Sequence, residues 1–130
     1  MDVLVPIDGS DSSLRALRFA IDFAERFEAS LHVVHVSDAE TDATDQILDD
    51  ARERLTASDL EGAPELILDE RVSVRTAARA GERIVELVGE RGYDHVVMGH
   101  SEGSDLERAM LGSAAQKVVR SECSPVTIVP

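Results

Sequence analysis

Tryptophan is absent from this chain of 130 residues, which holds one tyrosine and three phenylalanines. With aromatics at 3%, the core has to be built from Val, Leu, Ile and Ala, and the 43% of hydrophobic residues suffice for one domain of ordinary size. Cysteine occurs once, at Cys123, which excludes an internal disulfide and fits a reducing compartment. Long apolar runs are missing: the longest reach about six residues, against roughly 20 for a bilayer-spanning helix. No signal-peptide layout opens the chain, so it reads as cytoplasmic, without a membrane partner. Lysine is almost absent as well. Lys117 is the only one among 13 bases, the rest being Arg, and 26 acids give a net charge of −13. No basic stripe exists to neutralise phosphates, which argues against general nucleic-acid binding. An acidic surface with almost no Lys reads as adaptation to high salt, where self-repulsion is screened. The plainer alternative is an ordinary acidic protein from an Arg-rich genome.

What is present alternates. Val3-Leu4-Val5-Pro6-Ile7 is an unbroken apolar run, the mark of a strand buried on both faces. Asp8 to Ser12 forms a turn and helix start, after which Leu14, Leu17, Ile21 and Ala24 recur at helical spacing. Leu31 to Val36 is a second strand. Ser37 to Asp50 carries six acids and no base, and reads as a solvated loop entering a helix that uses Ile47, Leu48, Ala51 and Leu55. Glu65 to Val74 reads as a third strand, Ile84, Leu87 and Val88 as the buried face of a helix stopped by Gly92. His95 to Met98, Ala114 to Arg120 and Val126 to Val129 follow as strand, helix and strand. The alternation predicts one α/β domain over residues 1–130, a mostly parallel sheet with helices on both faces and right-handed crossovers. Ligands of such sheets sit beyond the carboxyl ends of the strands, where strand order reverses. The glycines after His95 to Met98 and before Ala114, Gly99 and Gly112-Ser113, have the layout of a phosphate-binding corner at a helix N-terminus.

Four pieces in order, VLVPIDGSDSS, LHVVHV, GYDHVVMG and Gly99…Gly112-Ser113 followed by SPVTIVP, resemble the universal stress protein (UspA) family along the whole chain. The resemblance implies a three-layer, Rossmann-like domain of the adenine nucleotide alpha hydrolase-like type, with a five-stranded parallel sheet in order 3-2-1-4-5. It implies a cytoplasmic homodimer joined through the C-terminal strand, a regulatory role with unknown protein partners, and, in one branch, bound ATP or another adenine nucleotide, with Mg²⁺ as a possible companion. Carried over residue by residue, it assigns base and ribose to Pro6, Ile7, Asp8 and Val36, and phosphate to Gly99, Gly112, Ser113 and Ala114. Ser113 also has Gln116 three residues on, as in a capping box. One departure stands out: the motif's second glycine falls on Glu102, with Gly103 one place later. A carboxylate there opposes phosphate, so a dimeric scaffold of the same fold that binds no nucleotide is the alternative. The loop from His100 to Glu107 decides between the two.

The remaining chemistry is sparse. His32 and His35 lie three apart in one strand and face opposite ways, so they form no metal pair. His100 is a loop residue, and the acids from Asp38 to Asp50 lack the glycine and spacing of a calcium loop. No Lys follows the glycines as in a P-loop, and no Ser-His-Asp, zinc or Cys-His set is visible, so the chain is read as a non-enzyme. Cys123 reads as packed. Asp8 has a second reading, as the cap of the first helix.

Overall fold

The computed structural model describes residues 1–73, 76–100 and 111–130. Five strands, β1 (Asp2–Pro6), β2 (Ser30–Ser37), β3 (Glu65–Leu68), β4 (His95–Gly99) and β5 (Val126–Val129), alternate with four helices, α1 (Asp11–Phe27), α2 (Asp42–Ala57), α3 (Thr76–Arg91) and α4 (Ser113–Ser121). The strands pair in parallel in the order β3-β2-β1-β4-β5. The sheet is the one the resemblance implied.

Alternation of side chains along each strand divides the core in two. Val3, Val5, Val33 and Val97 face α1 and α2, meeting Ala16, Leu17, Ala20, Ala51 and Leu55. Leu4, Val34, Val96 and Met98 face α3 and α4, meeting Ile84, Leu87, Ala115 and Val118. Val3, Leu4 and Val5 are fully buried, as a central strand covered on both faces requires. Among the described residues no helix is long and apolar enough to cross a membrane.

Three boundaries differ from the sequence reading. β3 stops at Leu68, and Glu70–Ser73 form a 3-10 turn instead of continuing to Val74. The cause is Asp69. Its N–H still bonds the Ser37 carbonyl, but its buried carboxylate accepts from the Arg71 backbone and guanidinium at 3.0 Å and from Arg79 Nη2 at 2.9 Å. A carboxylate that holds the next turn's N–H cannot continue an extended strand. The Arg71 hydrogen bonds, with Arg79 beside them, hold the Asp69 carboxyl far below the usual aspartate range. Arg79 also reaches Glu82 and Glu86, tying α3 to the end of β3.

The second difference is α2, which begins at Asp42, inside the acidic stretch. A reciprocal capping box starts it: Thr44 N–H donates to Thr41 Oγ1 at 3.2 Å and Thr41 N–H to Thr44 Oγ1 at 2.8 Å. The third is that no capping box forms at Ser113. The N-cap of α4 is Gly112, and Gln116 Nε2 turns back to donate to the Leu111 carbonyl at 2.6 Å.

β5 lies at one edge of the sheet, paired only to β4, with all four residues half-buried. Arg15 Nε donates to the Pro130 carbonyl at 2.8 Å, and His95 Nε2 bonds Thr127 Oγ1 at 2.7 Å, so the edge is fixed to α1 and β4. Cys123 is half-buried against the α3–α4 side of the core.

Candidate functional site

β1 is the point of reversal: β2 and β3 extend to one side, β4 and β5 to the other. Two crossovers therefore leave in opposite directions above its carboxyl end and part there. The chain leaves β1 through Ile7, whose N–H continues the ladder to the Val34 carbonyl at 2.8 Å. Gly9, at φ +83°, then takes the left-handed conformation that turns the chain into α1. Ser10 is the N-cap, its Oγ accepting from Ser13 N–H at 3.2 Å. Asp8 is not the cap; its Oδ1 accepts from Ser10 N–H at 2.9 Å and braces the turn that holds it at the cleft mouth.

Gly99 closes the other side. A Cβ built there would lie 2.6 Å from Ser12 Oγ and 2.7 Å from Ser12 C and Ser13 N. The end of β4 thus runs against the first turn of α1, and only glycine permits that approach. Beyond it, His100 N–H donates to the Val129 carbonyl at 2.7 Å and Gly112 N–H to the His100 carbonyl at 2.9 Å. These bonds bring the two ends of the intervening segment together. Glu102, Gly103 and the rest of the loop as far as Glu107 lie outside the described residues.

Between these ends opens a cleft of about 460 Å³, a size suited to a small organic ligand. Pro6, Ile7, Asp8, Val36, Gly99 and Ala114 all line it. Gly112 and Ser113 do not; they stand just before Ala114 at the start of α4, with Ser113 exposed. The walls also include residues the sequence reading left out of the site: His35, Asp38, Ser10, Ser13 and Val72. Asp8 and Asp38 are its charged side chains, and no Lys or Arg is found among the described wall residues. His35 had a legible signal, a titratable ring inside an apolar strand. Ser10, Ser13 and Val72 arrive through tertiary structure. Among the described residues no three His, Cys, Asp or Glu side chains cluster as a metal site.

Fold and cleft together define a doubly wound α/β protein with a cleft at its topological switch point, the place where such sheets take their ligands. The model of the Universal stress protein family matches residues 1–130, and the chain belongs to that family. It is 31% identical over 143 residues to the universal stress protein YxiE of Bacillus subtilis, covering 98% of this chain and 97% of that protein. Among solved structures, a universal stress protein in complex with cAMP is 29% identical, with a TM-score of 0.75 over 99% of this chain and 95% of the other. A universal stress protein from Archaeoglobus fulgidus in complex with dAMP shares the fold at 23% identity, with a TM-score of 0.75 over 100% of this chain and 98% of that one.

Proposed function

We propose that the chain is a cytoplasmic, homodimeric regulatory module whose cleft binds an adenine nucleotide without turning it over, the monophosphate in preference to the triphosphate. The observation that carries this reading is the cleft at the reversal, where Pro6, Ile7, Asp8, Val36, Gly99 and Ala114 meet. Support comes from the cAMP complex of a family member 29% identical to this chain. In this reading Pro6, Ile7, Asp8 and Val36 hold base and ribose, and Gly99 and Ala114 face the first phosphate. Gly112 and Ser113 are met only by a phosphate chain that runs on toward the start of α4.

Electrostatics sets the preference. The described walls offer two carboxylates, Asp8 and Asp38, and no cation. Two like charges at 4 Å repel by about 1 kcal/mol in water and about 4 at an effective dielectric of 20. Each phosphate beyond the first adds to that repulsion. For ATP, Mg²⁺ held by the phosphates and one of these carboxylates would offset it, in the way that ion is usually bound. Calorimetry with AMP, cAMP and ATP, with and without Mg²⁺, tests the reading: heat is expected for AMP at millimolar ligand or below, and silence from all three would remove it.

A second reading, a dimeric scaffold that binds no nucleotide, is favoured by one observation: the close approach of Gly99 to Ser12 and Ser13 is enough to account for that glycine. It predicts no thermal shift with any nucleotide, and it predicts that Glu102→Gly creates binding. In either case incubation with ATP should give no multiple turnover.

A further inference from the structure

His35 is 8% exposed and lines the cleft, yet the core does not account for both of its nitrogens. Nδ1 lies 2.7 Å from the Ile7 carbonyl oxygen. A carbonyl only accepts, so Nδ1 carries the hydrogen and donates it. In the neutral ring this leaves Nε2 as a bare lone pair. Among the described residues Nε2 has no hydrogen-bond partner. No buried side-chain nitrogen or oxygen sealed from solvent is left unpaired among those residues either. Nε2 is therefore not sealed in the core, and His35 is among the residues that line the cleft. A mostly buried acceptor on a ring fixed from its other side, in a residue of a cavity wall, is placed to take a ligand's donor.

We infer that His35 is a specificity-determining residue of the cleft: its Nε2 accepts a hydrogen bond from an N–H or O–H of the bound nucleotide. The inference rests on the nucleotide reading above and refines it. Two groups of an adenosine phosphate supply such a donor, the exocyclic amine of the base and the ribose hydroxyls. IMP replaces the amine by a carbonyl, which faces the lone pair of Nε2 and is rejected. The 2′- and 3′-deoxy forms of AMP delete one hydroxyl each and leave Nε2 unpaired. Sites built to pair a polar group discriminate against ligands that lack it.

The test is calorimetry on the wild-type chain and on His35→Asn and His35→Gln, with AMP, IMP, 2′-deoxy-AMP and 3′-deoxy-AMP. The amide nitrogen of Asn occupies roughly the place of Nδ1 and can keep the bond to the Ile7 carbonyl, whereas nothing in Asn reaches the place of Nε2. The amide of Gln reaches that place and can present an acceptor there. Wild type should prefer AMP over one of the three analogues by about 3- to 10-fold, the effect of one hydrogen bond. His35→Asn should abolish that preference with its fold intact by circular dichroism, and His35→Gln should restore part of it. The analogue that is discriminated names the donor: IMP the amine, a deoxy form the hydroxyl. In the ¹⁵N spectrum of the imidazole, Nε2 should be the unprotonated nitrogen and should shift on adding AMP. If wild type binds AMP but His35→Asn keeps the full discrimination, or all four ligands bind wild type alike, the inference is overturned and the nucleotide reading stands. If wild type binds none of them, the nucleotide reading fails and the role of His35 falls with it.

Discussion

Gly99→Ala puts the junction of β4 and α1 to the test. The new methyl would sit 2.6 Å from Ser12 Oγ and 2.7 Å from two backbone atoms, Ser12 C and Ser13 N, where ordinary contact starts at 3.4 Å. A serine hydroxyl can rotate away, but the first turn of α1 cannot move without disturbing the Ser10 cap. The strand end must therefore recede by somewhat under 1 Å. Overpacking of this kind costs about 1–3 kcal/mol, and backbone-on-backbone contact belongs at the upper end. Restricting the unfolded chain returns about 0.4–1 kcal/mol, leaving a net loss of about 2. For 130 residues the unfolding entropy is about 0.27 kcal/mol per kelvin, so Tm should fall by about 7 °C. Gly89→Ala in α3 is the matched control. Nothing lies within 4 Å of its Cβ position, so the substitution should stabilise by about 0.5–1 kcal/mol, or about 2–4 °C. Scanning calorimetry without nucleotide reads both. If Gly99→Ala melts within 1 °C of wild type, the close approach of β4 to α1 is refuted, and glycine at this position needs another explanation.

Asp69→Asn should cost about 2 kcal/mol at pH 7. The substitution removes a carboxylate whose side chain is only 5% exposed from Arg71 and Arg79, although Arg79 keeps Glu82 and Glu86. Because the folded-state pKa of Asp69 is depressed, its contribution is fully present above the ordinary aspartate value and is lost as pH falls through the lower one. Urea melts should thus show the gap between wild type and Asp69→Asn narrowing from about pH 5 toward pH 2; a gap that widens would contradict the network. With a net charge of −13, self-repulsion should make Tm rise with KCl into the molar range, and a flat or falling curve would remove the salt-adapted reading. Ile128→Pro, which puts a ring in place of an N–H that points to the unpaired edge of the sheet, should turn a dimer into a monomer in sedimentation velocity; a wild-type monomer would exclude β5 as the interface.

The order of elements was readable because a parallel sheet buried on both faces writes each central strand as an unbroken apolar run. Val3 to Pro6 and Val96 to Met98 are of that kind. The end of β3 was not readable, because Leu66, Ile67, Val72 and Val74 continue a plausible apolar pattern. What stops the strand is the Asp69 carboxylate, which holds the Arg71 N–H two residues on and is itself held by Arg79, ten residues away. The start of α2 was hidden for a different reason: no large apolar residue marks the helical period before Ile47, and the start signal is the pair of hydroxyls at Thr41 and Thr44. Ser113 and Gln116 show the converse, a capping pattern in sequence that the backbone does not use. At the site, the resemblance located the strand ends, and Pro6, Asp8, Val36 and Gly99 do meet. The tight packing of Gly99 on Ser12, and the place of His35 in the wall of the cleft, depend on how helix and strands pack, which no local pattern records.

In the proposed reading an adenine nucleotide sits in the crevice above β1. Titrating ¹⁵N-labelled protein with AMP and following its backbone amides tests that directly. Binding at the reversal should move Ile7, Asp8, His35, Val36, Gly99 and Ala114 in a saturable way, while amides at distant positions such as Arg91 and Glu65 stay in place. Saturable shifts centred on the far end of the sheet, or no shifts at millimolar AMP, would contradict it.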